Sequence, residues 1–259
     1  MTNGYIGTLS AGVLAAVDPA ADTEEEIMDV KFDKKETITK LTWTFANVVD
    51  AKAMSGYMEI KSDKRKGPWR FPIGYGAGGA ATASARKRGE LDVVIHANNN
   101  ETFTMFVTMN EANVGFQGGF ETENGHKGKE TYMECNVVED AALTANTREV
   151  TVLPTAQPIK ILDGMGGTIK KIFVSLADVV NAKQAGGVVD LESKALQGVP
   201  SHYIFGGGSG GATNCQGMMN ASEISGLNTP ITHNSTILTY LKCKDAKVDA
   251  HVGIQWIKN

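Results

Sequence analysis

The chain has 259 residues, 42% apolar and 21% charged, with 25 basic against 29 acidic side chains and a net charge of −4. That composition excludes a disordered tail and a helical membrane protein, and the slight acidity argues against a general nucleic-acid binder. The 29 glycines, 7 prolines and only 7% aromatics favour short strands joined by turns over a helical bundle.

Residues 1–25 read as an N-terminal arm, with the acidic run Glu24-Glu25-Glu26 at its end. The arm has no positively charged start, and no apolar stretch approaches the ~18 residues of a membrane span, so neither a signal peptide nor a span is expected. A strand is predicted over Glu26–Phe32. Leu41, Trp43 and Phe45 then alternate with Thr42, Thr44 and Ala46, the period of a strand with one buried face. A turn-like segment, Asn47–Gly56, leads to a second strand with Met58 and Ile60 inward. The glycine-rich stretch Gly74–Ala80 follows. Two strands, Glu101–Thr108 and Ala112–Glu121, meet at Asn110-Glu111 as a hairpin. Residues 122–158 form a connection that includes strands over Thr131–Val138 and Glu149–Leu153. A short strand at Lys160–Asp163 opens the second half.

That second half repeats the first. Thr37–Ser62 aligns without gaps on Thr168–Ser193, an offset of 131, and ten of the 26 pairs are identical. Chance gives about one or two at ordinary residue frequencies. Gly74–Ala80 matches Gly206–Ala212, and Val114-Gly-Phe-Gln117 matches Val252-Gly-Ile-Gln255. Ile172, Val174 and Leu176 stand for Leu41, Trp43 and Phe45, while Val189 and Leu191 stand for Met58 and Ile60. The closing strands are Thr236–Lys242 and Val248–Ile257, the latter reading as a strand with one buried face. We therefore expect an all-β chain of two tandem related β-sandwiches, residues 26–140 and 141–259, behind the arm 1–25.

Few residues carry recognisable chemistry. Gly206–Gly211 resembles an anion cradle, but no Gly-Lys-Ser/Thr follows it, and its recurrence between strands in both halves favours backbone geometry. His96, His126, His202, His233 and His251 show no metal-ligand spacing, and Cys135, Cys215 and Cys243 show no C-x-x-C. No nucleophile elbow, calcium loop or carboxylate cluster appears. No catalytic, cofactor-binding or metal-ligating residue is expected, and no enzyme. The sequons at Asn100, Asn220 and Asn234 fit chance in a chain rich in Asn and Thr. Charge is more telling. Lys61, Lys64, Arg65, Lys66, Arg70, Arg86, Lys87 and Arg88 lie in one stretch with a single acid, Asp63, whereas the matching stretch from Glu192 to Asn220 carries only Lys194. The stretch reads either as a solvated basic loop or as a patch facing the phosphates of a membrane or genome. Trp69, within Gly67-Pro68-Trp69-Arg70, is placed to sit at an interface.

The duplicated block Thr37–Ser62/Thr168–Ser193, the paired closing strands ending at Glu121 and Ile257, and the arm together resemble the double jelly-roll major capsid proteins of tailless icosahedral viruses with an internal membrane, infecting bacteria and archaea. The resemblance is one of architecture over most of the chain. It implies a self-assembling coat protein of the virion, made in the host cytoplasm. Three chains would present six sandwiches as a pseudo-hexagonal tile, and such tiles would meet neighbouring capsomers in an icosahedral shell. The implied partners are further copies of the chain, the viral membrane and minor capsid proteins, without sequence-specific nucleic-acid binding. Two other readings stand beside it: a carbohydrate-binding or extracellular filament subunit of tandem sandwiches, and an enzyme on two jelly rolls such as a copper monooxygenase or an amidase.

Overall fold

The alternation around Leu41 and Trp43 is realised as a strand, Glu36–Ala46, with Leu41 and Trp43 buried and the alternating Thr42 and Thr44 half-buried. The computed structural model describes residues 2–6, 23–46, 53–76, 88–109, 115–135, 149–150, 159–162, 164–177, 187–192, 196, 202–205, 222–243 and 249–259. Among them every regular element is a strand. In chain order these are β1 (Thr2–Ile6), β2 (Glu25–Phe32), β3 (Glu36–Ala46), β4 (Ala53–Ser62), β5 (Arg70–Gly76), β6 (Arg88–Ala97), β7 (Glu101–Met109), β8 (Gly115–Asn124) and β9 (Thr131–Cys135). They continue with β10 (Glu149–Val150), β11 (Ile159–Ile161), β12 (Gly167–Ala177), β13 (Gly187–Glu192), β14 (His202–Phe205), β15 (Ser222–Ile224), β16 (Thr229–Ile231), β17 (Ser235–Cys243) and β18 (Asp249–Lys258).

The pairings give four antiparallel sheets. Sheet I has the order β1-β8-β3-β6 and sheet II the order β2-β7-β4-β5. Eight consecutive strands divided in this way are a jelly roll, the double Greek key that folds one long hairpin over itself. The remaining strands repeat the plan. Sheet III runs β9-β18-β12, with β15 and β16 both on the far side of β12. Sheet IV runs β17-β13-β14, with β10 and β11 both on the outer side of β17. Counting each split pair as one strand, β9–β18 is a second jelly roll of the same order. The chain is all-β and built as a double jelly roll.

Local details recur at matching places. The β3 ladder slips by one residue between Ile38 and Lys40, and the β12 ladder slips between Ile169 and Lys171. Both are bulges in the strand to which the sequence repeat points. Asn100 and Asn234, each just before a long strand, adopt φ of 58° and 53°. Asparagine tolerates that left-handed turn geometry, which gives these two sequon residues a backbone role. The first core is aromatic: Phe32 meets Phe103 edge-on at 5.8 Å and stacks on Phe120 at 6.0 Å. In the second, Trp256 lies 5.8 Å from Tyr132 and donates through Nε1 to the Met165 carbonyl at 2.8 Å.

The structure corrects several expectations. Residues 2–6 are not a free arm, because β1 is a strand of sheet I paired along its length with β8. Residues 7–22 lie outside the described residues. A cut at residue 140 would separate β9 from β18, the strand it hydrogen-bonds. β8 and β18 correspond at an offset of 134 through their common pairing with β3 and β12, so Val114–Gln117 and Val252–Gln255 are four residues out of register. β18 is buried on both faces, since Gly253 and Gln255 are as enclosed as Val252, Ile254 and Trp256. β5 and β6 run through a stretch where no strand was expected. Of the two matched glycine-rich stretches, Gly74–Gly76 belongs to β5, and residues 77–80 and 206–212 lie outside the described residues.

Candidate functional site at the junction of the two sandwiches

The segment Gly67-Pro68-Trp69-Arg70 enters β5 at the edge of sheet II and meets the second sandwich there. Trp69 is 1% exposed. Its Nε1 donates to the Thr131 carbonyl at 3.1 Å, and the Met133 N–H donates to the Pro68 carbonyl at 2.7 Å. Its ring lies 5.7 Å from Phe103 of the first sandwich and stacks at 6.3 Å on Tyr132 of β9. A tryptophan buries a large apolar area while its one polar atom finds a carbonyl, so this residue suits a permanent seam. Trp69 does sit at an interface, and the interface is internal.

Two arginines flank it. Arg65 Nε donates to Glu101 at 2.9 Å, its Nη1 donates to Glu130 at 2.5 Å, and its Nη2 donates to the His96 carbonyl. Its guanidinium lies 4.9 Å from the Trp69 ring. Glu101 starts β7 in the first sandwich, whereas Glu130 immediately precedes β9. Glu101 is fully buried and also accepts from Ser62 at 2.5 Å and from the Asn98 backbone and side chain at 2.8 Å each. Burial alone would raise its pKa, but the bonds from Ser62, Asn98 and Arg65 outweigh that and hold it low. Glu130 is likewise held low against burial, by Arg65, the His96 N–H and Tyr132. Tyr132 is pushed up to about 12 by burial and by the Glu130 charge.

Arg70 makes the second bridge. Its Nη2 donates to Glu59 of β4 at 3.2 Å, and its Nη1 lies 3.7 Å from Glu134 of β9. Burial works against its charge, and Glu134 and Glu59 more than restore it, so Arg70 is held firmly protonated. Glu134 is pushed up to about 7 by burial, which Arg70 offsets only in part. Cys135 next to it is 3% exposed, and burial and then the Glu134 charge raise its thiol pKa well above the ordinary value, which is unsuited to a nucleophile.

The same seam covers the edge strand β6. The Thr131 hydroxyl accepts from the Val94 N–H at 2.8 Å and donates to the Val94 carbonyl at 3.3 Å. The His96 N–H donates to Glu130 at 3.1 Å, and Gln255 Nε2 donates to the Asp92 carbonyl at 3.0 Å. Side chains thus satisfy backbone groups that an edge strand leaves open. The outer face of sheet III then lies across β4 and β5. At the closest point Gly253 faces Pro72, where a Cβ would come within 2.5 Å of the Pro72 Cδ. Only glycine allows this approach.

The basic stretch does not form one patch among the described residues. Arg65 and Arg70 turn inward to carboxylates. Lys61 pairs with Glu24 at 2.6 Å and lies 4.3 Å from the Phe106 ring, while Lys64 donates to the Asn99 carbonyl at 3.1 Å. Lys66 is exposed. Arg88 stands in β6, and Arg86 and Lys87 lie outside the described residues. The acids that complete the seam, Glu59, Glu101, Glu130 and Glu134, gave no signal in the sequence because they come from three distant segments. Nor did the stacked rings of His96 and His126, whose centroids are 4.5 Å apart. Among the described residues no group of three or more His, Cys, Asp or Glu side chains could hold a metal ion.

No family model matches the chain, and none of the curated proteins is similar to it. Among solved structures the chain is similar to the major capsid protein P2 from bacteriophage PM2, with a TM-score of 0.41 and 9% identity over 100% of this chain and 97% of that one. The double jelly roll described above rests on the strand pairings of this chain.

Proposed function

We propose that this chain is a coat protein that assembles with copies of itself into the icosahedral shell of a virion. What carries the reading is the pairing of two complete jelly rolls of identical strand order in one chain, joined by a seam in which Trp69 is buried. A fold by itself hosts many functions. Here, however, the place where an enzyme on two sandwiches would keep its reactive acids is filled by Trp69, and the carboxylates at that place are tied to Arg65 and Arg70. A body of two joined units of the same strand order suits tiling, because each unit can repeat toward a neighbouring chain the kind of contact its twin makes. In this reading three chains form a tile of six sandwiches, the two halves arose by internal duplication, and the shell encloses a membrane or genome. The viral membrane and minor capsid proteins are further partners.

Mass measurement and negative-stain microscopy of the purified full chain test this. Trimers of hexagonal outline, or closed shells, are expected. A chain that remains monomeric at every concentration and turns over a substrate or binds a glycan refutes it.

A further inference from the structure

At the seam the two sandwiches use different sides. The first contributes the side where β5 and β6 run along its sheet edges. The second contributes the outer face of sheet III. Each therefore keeps the complementary side out of the seam: on the first sandwich the outer face of sheet I, where Gly119 is buried between its neighbours and Thr42 and Glu121 are half-buried, and on the second the side of β14, β15 and β16.

The registers make this correspondence residue by residue. β5 against β4 and β14 against β13 place Pro72 and Ile204 at equivalent positions. β8 and β18 do the same for Gly119 and Gly253, and β3 and β12 for Thr42 and Phe173. Within the chain Pro72 is buried against Gly253, and Phe173 beside it is 6% exposed. Ile204 is 83% exposed, well beyond Leu162, the other exposed large apolar side chain described. A single exposed apolar residue is ordinary. This one stands where the equivalent residue is the knob of an existing interface.

We propose that the β14 side of the second sandwich docks on the outer face of sheet I of a second copy, Ile204 seating over Gly119 and Thr42 as Pro72 seats over Gly253 beside Phe173. The inference rests on the coat-protein reading and names its contact surface. The contact is heterologous, so each copy both gives and receives, and it closes into a ring when the rotation allows. The receiving face is more polar than its internal counterpart, with Thr42 where sheet III has Phe173 and Glu121 where it has Gln255. That suits a contact made between folded chains, whose rims stay wet, better than one made during folding.

Two variants of the full chain test the surface. Ile204→Arg should lower the solution mass of the wild-type assembly by about threefold, with circular dichroism and melting temperature unchanged. Thr42→Cys with Ile204→Cys, treated with a short bismaleimide, should give covalent dimers and trimers on denaturing gels that neither single variant gives. Retention of wild-type mass by Ile204→Arg overturns the surface and leaves the coat-protein reading standing, as does dimer formation by Ile204→Cys alone. A wild-type chain that is monomeric throughout removes both.

Discussion

Replacing Arg65 with methionine keeps most of its length and removes its charge. Its charge-assisted bonds to Glu101, Glu130 and the His96 carbonyl are lost, each worth ~1.5–3 kcal/mol before solvent and the remaining partners compensate. The guanidinium over Trp69 adds ~0.5–1 kcal/mol. Against this, Glu101 keeps three bonds from Ser62 and Asn98, and Glu130 keeps the His96 N–H and Tyr132. Neither carboxylate is orphaned, so the loss falls short of the full ~3–5 kcal/mol for breaking a buried pair. Arg65 is also 27% exposed, which lets water compensate in part. A cost of about 2–3 kcal/mol follows, or about 4–12 °C in melting temperature for a chain of this size. Arg65→Lys should fall between wild type and Arg65→Met, because an ammonium cannot fork between two carboxylates. Urea denaturation followed by tryptophan fluorescence reads this directly, since Trp69 lies under the guanidinium. If Arg65 belongs to a solvated basic loop, the change stays within ~0.5 kcal/mol. That result would refute the assignment of Arg65 to the seam.

Trp69→Ala should cost ~3–5 kcal/mol and expose the seam to proteolysis near residues 125–130, and a melting curve like wild type would show that the seam carries little of the stability. Gly253→Val should destabilise by ~1–3 kcal/mol, because Pro72 on a strand cannot move aside; Pro72→Ala in the same chain should recover part of the loss, and thermal melts of the two variants decide it. Glu134 has a folded pKa of about 7 against an ordinary value of 4.5, so folding takes up a proton between them and stability falls as pH rises through that window. Glu101 and Glu130 act in the opposite sense, their contribution being present above the ordinary carboxylate range and lost as pH falls through their lowered values. Glu134→Gln should therefore flatten the decline from pH 5 to pH 7 and leave the acid limb in place, and an unchanged profile of melting temperature against pH would refute the burial of Glu134. The Cys135 thiol should resist a disulfide reagent in the native chain at pH 8 and react on unfolding, as mass spectrometry of labelled Cys135 can show.

Much of the architecture was legible because it follows from period and repetition. Leu41, Trp43, Met58, Ile60, Val189 and Leu191 announce their faces by alternation, and the offset of 131 announces a second unit. β6 carried the same signal in Leu91, Val93 and Ile95, but the run Arg86-Lys87-Arg88 drew attention to charge. β5 was hidden by Pro72 and Gly74, residues that argue against a central strand yet are tolerated on an edge. β1 was hidden by its distance from its partner, since nothing local tells Thr2–Ile6 that it will pair with Gly119–Glu123. The seam was illegible for the same reason. Arg65 and Arg70 are conspicuous in sequence, whereas the carboxylates that neutralise them arrive from Glu59, Glu101, Glu130 and Glu134. Clustered cations along a chain thus say little about clustered charge in space.

The asymmetry between the halves takes on a different meaning once the registers are known. The two units share strand order, bulge position and turn geometry, features that fix a jelly roll. They differ where one unit touches the other: Pro72 against Ile204, Thr42 against Phe173, Glu121 against Gln255. The differences at the seam fall on its two complementary sides, with the large apolar residue Phe173 on the covered face and the polar Thr42 on the equivalent face outside the seam. Under the proposed coat-protein reading, divergence of this kind would separate a permanent contact inside the chain from one offered to a neighbouring copy.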